Sequence, residues 1–122
     1  MNLSKINYSY DSNTDSLFIY VSDDYVYDES VELNANVIMD FDVNGIPRAI
    51  ELLSASKLFK IDKSYFNNIS MLKVNIFINE DIIKLNVNLT VKVHNEFISE
   101  IIRGKCINDL NAPNFNNELA IV

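Results

Sequence analysis

Apolar and polar positions alternate with a period of two along most of this chain, the mark of strands with one buried face. Ile6, Tyr8 and Tyr10 fall on one side of a first strand. After a turn at Asp11–Asp15, Leu17, Ile19 and Val21 share a side of a second. Ser22-Asp23-Asp24 leads into a strand from Tyr25 to Leu33, and Val37 to Val43 follows Asn34-Ala35-Asn36. The rhythm returns after Leu72 in Val74, Ile76 and Ile78, then in Leu85, Val87, Leu89, Val91 and Val93, which alternate with Lys84, Asn86, Asn88, Thr90 and Lys92. A turn near Asn95-Glu96 opens a last strand, Phe97 to Cys106. Between the two strand-rich halves, Leu58, Phe59, Tyr65, Phe66 and Ile69 recur at helical spacing. That predicts a helical segment over 55–68 with Ser54 as N-cap and Asp62 capping a second turn.

These elements predict an α+β fold, predominantly antiparallel β: a hairpin series, a short helical segment, then a three-stranded meander. A single domain covers residues 1–122, with a hairpin region and helix over 6–59, a meander over 70–107 and an Asn-rich tail over 108–122 whose end, Glu118–Val122, is apolar enough to dock. Asn44-Gly45 predicts a two-residue type I′ turn, because that turn needs positive φ at both central residues. Its register would set Val43 opposite Ile46, Asp42 opposite Pro47, Asp40 opposite Ala49 and Ile38 opposite Glu51. Pro47 predicts an edge or a bulge at the start of its strand, and Met39, Phe41, Ile50 and Leu52 face the core.

With 122 residues, 48% of them apolar, the chain can build a core without staples. Cys106 is its single cysteine, so no intrachain disulfide forms and a cytoplasmic setting is expected. No apolar run approaches the ~20 residues that span a bilayer, and the polar start Met1–Lys5 lacks a signal-peptide segment, so no membrane partner is expected. A net charge of -7 opposes phosphate, so nucleic acid is not expected either. The acidity is concentrated in Asp11, Asp15, Asp23, Asp24, Asp28, Glu29 and Glu32, where a basic protein could be attracted.

Asp40, Asp42, Asn44, Gly45 and Glu51 satisfy the spacing D-x-[DN]-x-[DN]-G-x5-E of a calcium loop, which makes Asp40, Asp42, Asn44 and Glu51 candidate calcium ligands. The flanks oppose that reading: strands, not helices, surround the loop, and Pro47 takes the place of an apolar bridge residue. His94 lies beside a turn with no companion histidine, and no nucleophile elbow accompanies any serine, so neither a catalytic residue nor a cofactor site is assigned. Cys106 reads as a buried, inert thiol. Tyr8, Tyr10, Tyr20, Tyr25 and Tyr27 form either an interaction face or the core's rim.

The chain also carries Tyr10-Asp11, Asp15-Ser16-Leu17-Phe18-Ile19, Val37-Ile38-Met39-Asp40-Phe41-Asp42, Asn44-Gly45 and Ala49-Ile50-Glu51-Leu52-Leu53-Ser54-Ala55-Ser56. In these motifs it resembles the family of small prokaryotic proteins known as domain of unknown function 2283, from Ile6 to about Phe59. Ala49 stands where that pattern has Gly, and Pro47-Arg48 is atypical. The resemblance implies a small β-rich bacterial or archaeal protein with no established activity, some relatives of which look like the smaller partner in toxin–antitoxin arrangements. The expected function is therefore a non-enzymatic protein that binds another protein or itself, as a homodimer through a strand edge or through the Leu85–Val93 face. It could be the acidic partner of a toxin–antitoxin-like pair. A calcium-binding module is the alternative, and a small hydrolase using a carboxylate cluster a distant third.

Overall fold

A computed structural model describes residues 3–121 and joins their strands into one nine-stranded sheet. The strands are β1 (Leu3–Asp11), β2 (Ser16–Val21), β3 (Tyr27–Asn34), β4 (Val37–Asp42), β5 (Pro47–Leu52), β6 (Ile69–Ile78), β7 (Ile82–Val93), β8 (Glu96–Ile107) and β9 (Phe115–Ile121). Their order across the sheet is β3-β4-β5-β2-β1-β9-β6-β7-β8. Strands take 63% of the chain and helix 9%, and the sheet curls into a half-barrel. This corrects the expected α+β class. The hairpin series and the meander are not successive layers but two halves of one sheet, and the helical segment is only α1 (Ala55–Phe59) and a 3₁₀ turn at Lys63–Asn67.

The segment that joins the halves is the one expected to be a tail. Over residues 108–122, β9 inserts in the middle of the sheet, parallel to β1 (Leu3 beside Glu118) and antiparallel to β6 (Val74 beside Leu119). Val122, part of the segment expected to dock, lies outside the described residues, as do Met1 and Asn2 of the polar start. Asparagine is depleted in strands, so Asn116 and Asn117 hid this one. A parallel neighbour more than a hundred residues away in sequence leaves no local turn signal.

The concave side holds the core. Leu17, Ile19, Met39, Phe41 and Leu52 from the first half meet Leu72, Val74, Leu85, Val87 and Leu89 from the second, and all are buried. Full burial of such side chains stabilises by ~1.5–3 kcal/mol each, before conformational entropy is charged against it. Phe59 and Phe66 close one end of the core, with Tyr10 stacked on Phe66 at 4.9 Å between ring centroids. Leu85, Val87, Leu89 and Val91 thus belong to the core, which removes the Leu85–Val93 face as a dimer surface.

Curling brings the outermost strands β3 and β8 together without a ladder between them. A Cβ on Gly104 would meet the Leu33 Cβ at 3.0 Å, so glycine allows this approach. Gly45 serves a similar end: it has φ +76, and a Cβ there would lie 2.8 Å from Pro113 Cδ, so the stretch after β8 packs onto the β4–β5 turn.

That turn differs from the predicted one. Gly45 N–H donates to the Asp42 carbonyl and Asp42 N–H to the Ile46 carbonyl, both at 2.9 Å, and Gly45 alone there has positive φ. The loop is a type I turn closed by a glycine bulge, not a two-residue type I′ turn. Ile38 opposite Glu51 and Asp40 opposite Ala49 are as predicted, but Pro47 lies opposite Phe41 rather than Asp42, leaving Arg48 as an extra residue. The bulge expected at Pro47 is present. A two-residue turn with two positive φ values occurs instead at His94 (48°) and Asn95 (67°), between β7 and β8.

Candidate functional site

The motif carboxylates separate into two clusters. In the first, Asp15 sits in the β1–β2 turn at φ 55 and is almost fully buried. It accepts from Tyr10 Oη at 2.7 Å, from Ser56 Oγ at 2.7 Å and from Ser56 N–H at 3.0 Å. Ser54 has left-handed φ and makes no side-chain cap, contrary to expectation. Asp15 caps α1 in its place, from 41 residues away. Asp62 does cap the 3₁₀ turn, accepting from Ser64 N–H at 3.0 Å. Burial raises the Asp15 pKa, but the Ser56 and Tyr10 hydrogen bonds outweigh it and hold the carboxyl below its ordinary value. Burial and the Asp15 charge push the Tyr10 phenol upward.

The second cluster lies on the convex face of β3, β4 and β5. Successive residues of a strand point to opposite faces, so Met39 and Phe41 face the core while Asp40 and Asp42 face outward, where neighbours bury them as well. Asp42 accepts from Asn44 N–H at 2.8 Å, from Ile46 N–H at 3.0 Å and from Arg48 Nε at 2.7 Å, the arginine being aimed by the bulge. Burial alone would raise its pKa; the Arg48 bond and the two amides win and lower it. Asp40 accepts from Ser30 Oγ at 2.5 Å, and that hydroxyl lies 2.7 Å from Tyr27 Oη. Glu51, a diagonal neighbour of Asp40 on the same face, is hydrogen-bonded to it. That bond, burial and the repulsion between the two charges raise the Glu51 pKa to about 7. Tyr25 stands beside the pair, its ring centroid 6.0 Å from Arg48 Cζ. Its pKa is raised by burial and then by the Asp40 charge, with Arg48 opposing.

The family match falls on both clusters. A model described as "Protein of unknown function (DUF2283)" covers residues 7–56, from β1 to the Ser56 that Asp15 holds. The chain belongs to the DUF2283 family. It is 30% identical over 106 residues, 87% of this chain and 85% of the relative, to a Methanosarcina mazei protein named "Putative hypoxanthine phosphoribosyltransferase". It is 32% identical over 108 residues, 88% of this chain and 89% of the relative, to an uncharacterized protein of Methanocaldococcus jannaschii. These similarities run well past the DUF2283 segment into the second half of the sheet. No solved structure matches the chain.

Of the candidate calcium ligands, Asp40 and Glu51 come together, Asp42 is taken up by Arg48 and two amides, and Asn44 stands exposed in the turn. Among the described residues no three His, Cys, Asp or Glu side chains are grouped to hold a metal ion. His94 is exposed on its turn, and Cys106 is half-buried, its thiol pushed up by burial and by Asp109. The Tyr set divides: Tyr8 and Tyr10 pack against the core, Tyr25 joins the carboxyl pair, and Tyr27 is exposed. No helix of the described residues is long and apolar enough to cross a membrane. Tyr25 and Ser30 are the partners that sequence reasoning did not supply; the pairing of Arg48 with one of the motif carboxylates is the expected one, and the bulge at Pro47 delivers it to Asp42.

Chemically, Glu51 keeps its proton up to near-neutral pH beside a second carboxylate, so the pair can change charge by one within the physiological range. Concavities of about 290, 200 and 280 Å³ lie away from the pair, around Phe77 and between Glu29 and Pro113.

Proposed function

We propose that the protein acts by binding protein chains rather than by catalysis, beginning with a second copy of itself paired along β8. The observation that carries this reading is the edge strand itself. β8 is 12 residues long, ladders among the described residues only with β7, and exposes Phe97 (67%), Ile98 (39%) and Ile101 (41%) beyond the point where Gly104 meets Leu33. A long apolar edge presents unpaired backbone groups to another strand. In the hairpin closed by His94-Asn95, the N–H and C=O groups of Phe97, Ser99 and Ile101 point away from β7. Two antiparallel copies centred on Ser99 would set each Phe97 opposite the other copy's Ile101, with every outward group matched. The register shifted by one residue would oppose Glu100 to itself, which like charge disfavours. The acidic strand β3, with exposed Asp28, Glu29 and Glu32, offers a second surface suited to a basic partner of the toxin–antitoxin kind.

The phosphoribosyltransferase name of the Methanosarcina relative has no counterpart in this chain's chemistry. Gripping a phosphorylated sugar calls for glycine-rich backbone free to cradle phosphate. The chain has two glycines, and each is already packed against a neighbour. Light scattering over a concentration series tests the reading. A dimer is expected, and Ile101→Pro, which removes an outward N–H and no β7 bond, should give a monomer with unchanged far-UV dichroism. A monodisperse monomer at high concentration, or an Ile101→Pro variant that stays dimeric, refutes it. Amides of Asp40–Glu51 that shift on addition of calcium alone would favour the metal-binding alternative instead.

A further inference from the structure

The convex face of the second half separates its charge from the rest of the molecule. Registers across β9, β6, β7 and β8 place Lys73, Lys84, Lys92, Arg103 and Lys105 on this one face, half of the 10 cations in the chain, with Glu118 as its single carboxylate among the described residues. The one ion pair among the described residues is Arg48–Asp42, so these five are uncommitted. Two aromatic rings stand among them: Phe77, with Lys84 Nζ 5.9 Å from its centroid, and Phe97, with Lys92 Nζ at 5.9 Å. Both rings are exposed, 37% and 67%. Concavities of about 290 and 200 Å³ flank Phe77, lined by the amides of Asn75, Asn86, Asn114 and Asn116.

Stacking rings, uncommitted cations and amide groups that both donate and accept are the components by which a sheet holds unpaired bases and their phosphates. We propose that the convex face of β6, β7 and β8 binds single-stranded nucleic acid, with bases on Phe77 and Phe97 and phosphates along Lys73, Lys84 and Lys92. Lys84 and Lys92 are eight residues apart on β7, a span of ~27 Å at the usual strand rise, enough for several nucleotides. The net charge of -7 opposes approach only over distance. At physiological salt, fields decay over about 8 Å, and within that range the ligand meets the local cations. Acidic β3 beside β8 and Glu118 on β9 border the strip and set its width. The inference does not depend on pairing through β8, since Phe77, Lys73 and Lys84 stand on β6 and β7, inside that edge.

Fluorescence anisotropy of a labelled 15-nucleotide oligo(U) or oligo(dT), titrated with the full chain, tests it. Saturable binding is expected at 50 mM salt, weakening between about twentyfold and a hundredfold by 200 mM if three to five phosphates are neutralised. Lys84→Glu and Lys92→Glu should each weaken binding and flatten the salt slope. Phe77→Ala should weaken it by about five- to a hundredfold with the slope unchanged. All three residues are exposed, and an unchanged melting curve verifies that each variant folds. Absence of binding at 50 mM salt overturns the proposal, as does binding indifferent to Lys84→Glu. Equal competition by poly-glutamate, with Phe77→Ala silent, would assign the face to acidic protein segments and also overturn it.

Discussion

Replacing Asp15 with alanine removes one carboxylate that ties β1 to the start of α1. The lost partners are Tyr10 Oη, Ser56 Oγ and Ser56 N–H, at 2.7, 2.7 and 3.0 Å. Hydrogen bonds to a charged acceptor contribute roughly 1.5–3 kcal/mol each, but both hydroxyls can turn partly towards water, so the sum overstates the loss. The amide of Ser56 cannot turn, and a further ~1 kcal/mol follows from alanine at φ 55. The expected destabilisation is therefore about 3–5 kcal/mol at pH 7 by urea denaturation, large against the 5–15 kcal/mol of a whole domain. Asparagine tolerates the left-handed backbone and keeps one acceptor, so Asp15→Asn should lose less than half as much. The pH dependence has a definite sign. The folded pKa of Asp15 lies below its unfolded value, so this stabilisation is complete above that unfolded value, ~3.9, and fades as pH falls through the folded one. The gap between parent and Asp15→Ala should thus shrink in strong acid towards the ~1 kcal/mol of the backbone cost. A difference below about 1 kcal/mol at pH 7, or one that does not shrink in acid, would refute the capping role.

Glu51→Gln should act in the opposite pH range. The folded pKa of Glu51 is raised to about 7, so the stability of its protonated form is present below the unfolded value and is lost as pH rises through 7. The glutamine variant should match the parent at pH 5 and exceed it at pH 8.5 by about 1 kcal/mol once solvent screening is allowed for; thermal melts at the two pH values read this directly, and equal melts at pH 8.5 count against the shared proton. Gly45→Ala combines a positive φ with a Cβ 2.8 Å from Pro113 Cδ, and should lower stability by about 2–3 kcal/mol. Retention of the parent's melting temperature would show that the 108–114 stretch does not pack on the turn.

Much of this architecture was legible in the sequence because strand periodicity is local. Ile6, Leu17, Ile19 and Val21, and later Val74 to Val91, fall on the buried face that their alternation assigns. What escaped depends on partners far along the chain. β9 carries Asn116, Asn117 and Glu118 near its start and has two long-range neighbours, one of them parallel, so nothing near Phe115 announces a central strand. The β4–β5 turn escaped for another reason. Asn44-Gly45 is a strong signal for a two-residue turn, but Asp42 accepts from both Asn44 and Ile46, and this favours the larger loop. Once the loop lengthens, the register near Pro47 slips and Arg48 bulges towards Asp42.

The two clusters explain why a calcium-like spacing arises in a chain built of strands. A loop that must turn sharply needs an acceptor for its free amides, and Asp42 is that acceptor; a helix starting from a left-handed residue needs a remote cap, and Asp15 is that cap. Both carboxylates hold backbone amides. Asp40 and Glu51 are different: Asp40 accepts from Ser30 Oγ and Glu51 keeps its proton up to near-neutral pH beside it, and neither secures an amide among the described residues. Replacing such a pair by apolar residues of similar volume generally costs little or even stabilises. Fold maintenance alone therefore does not account for two carboxyls on the convex face beside Tyr25 and Arg48. Of the motif positions, this pair is the one whose chemistry is left over after the architecture has been explained.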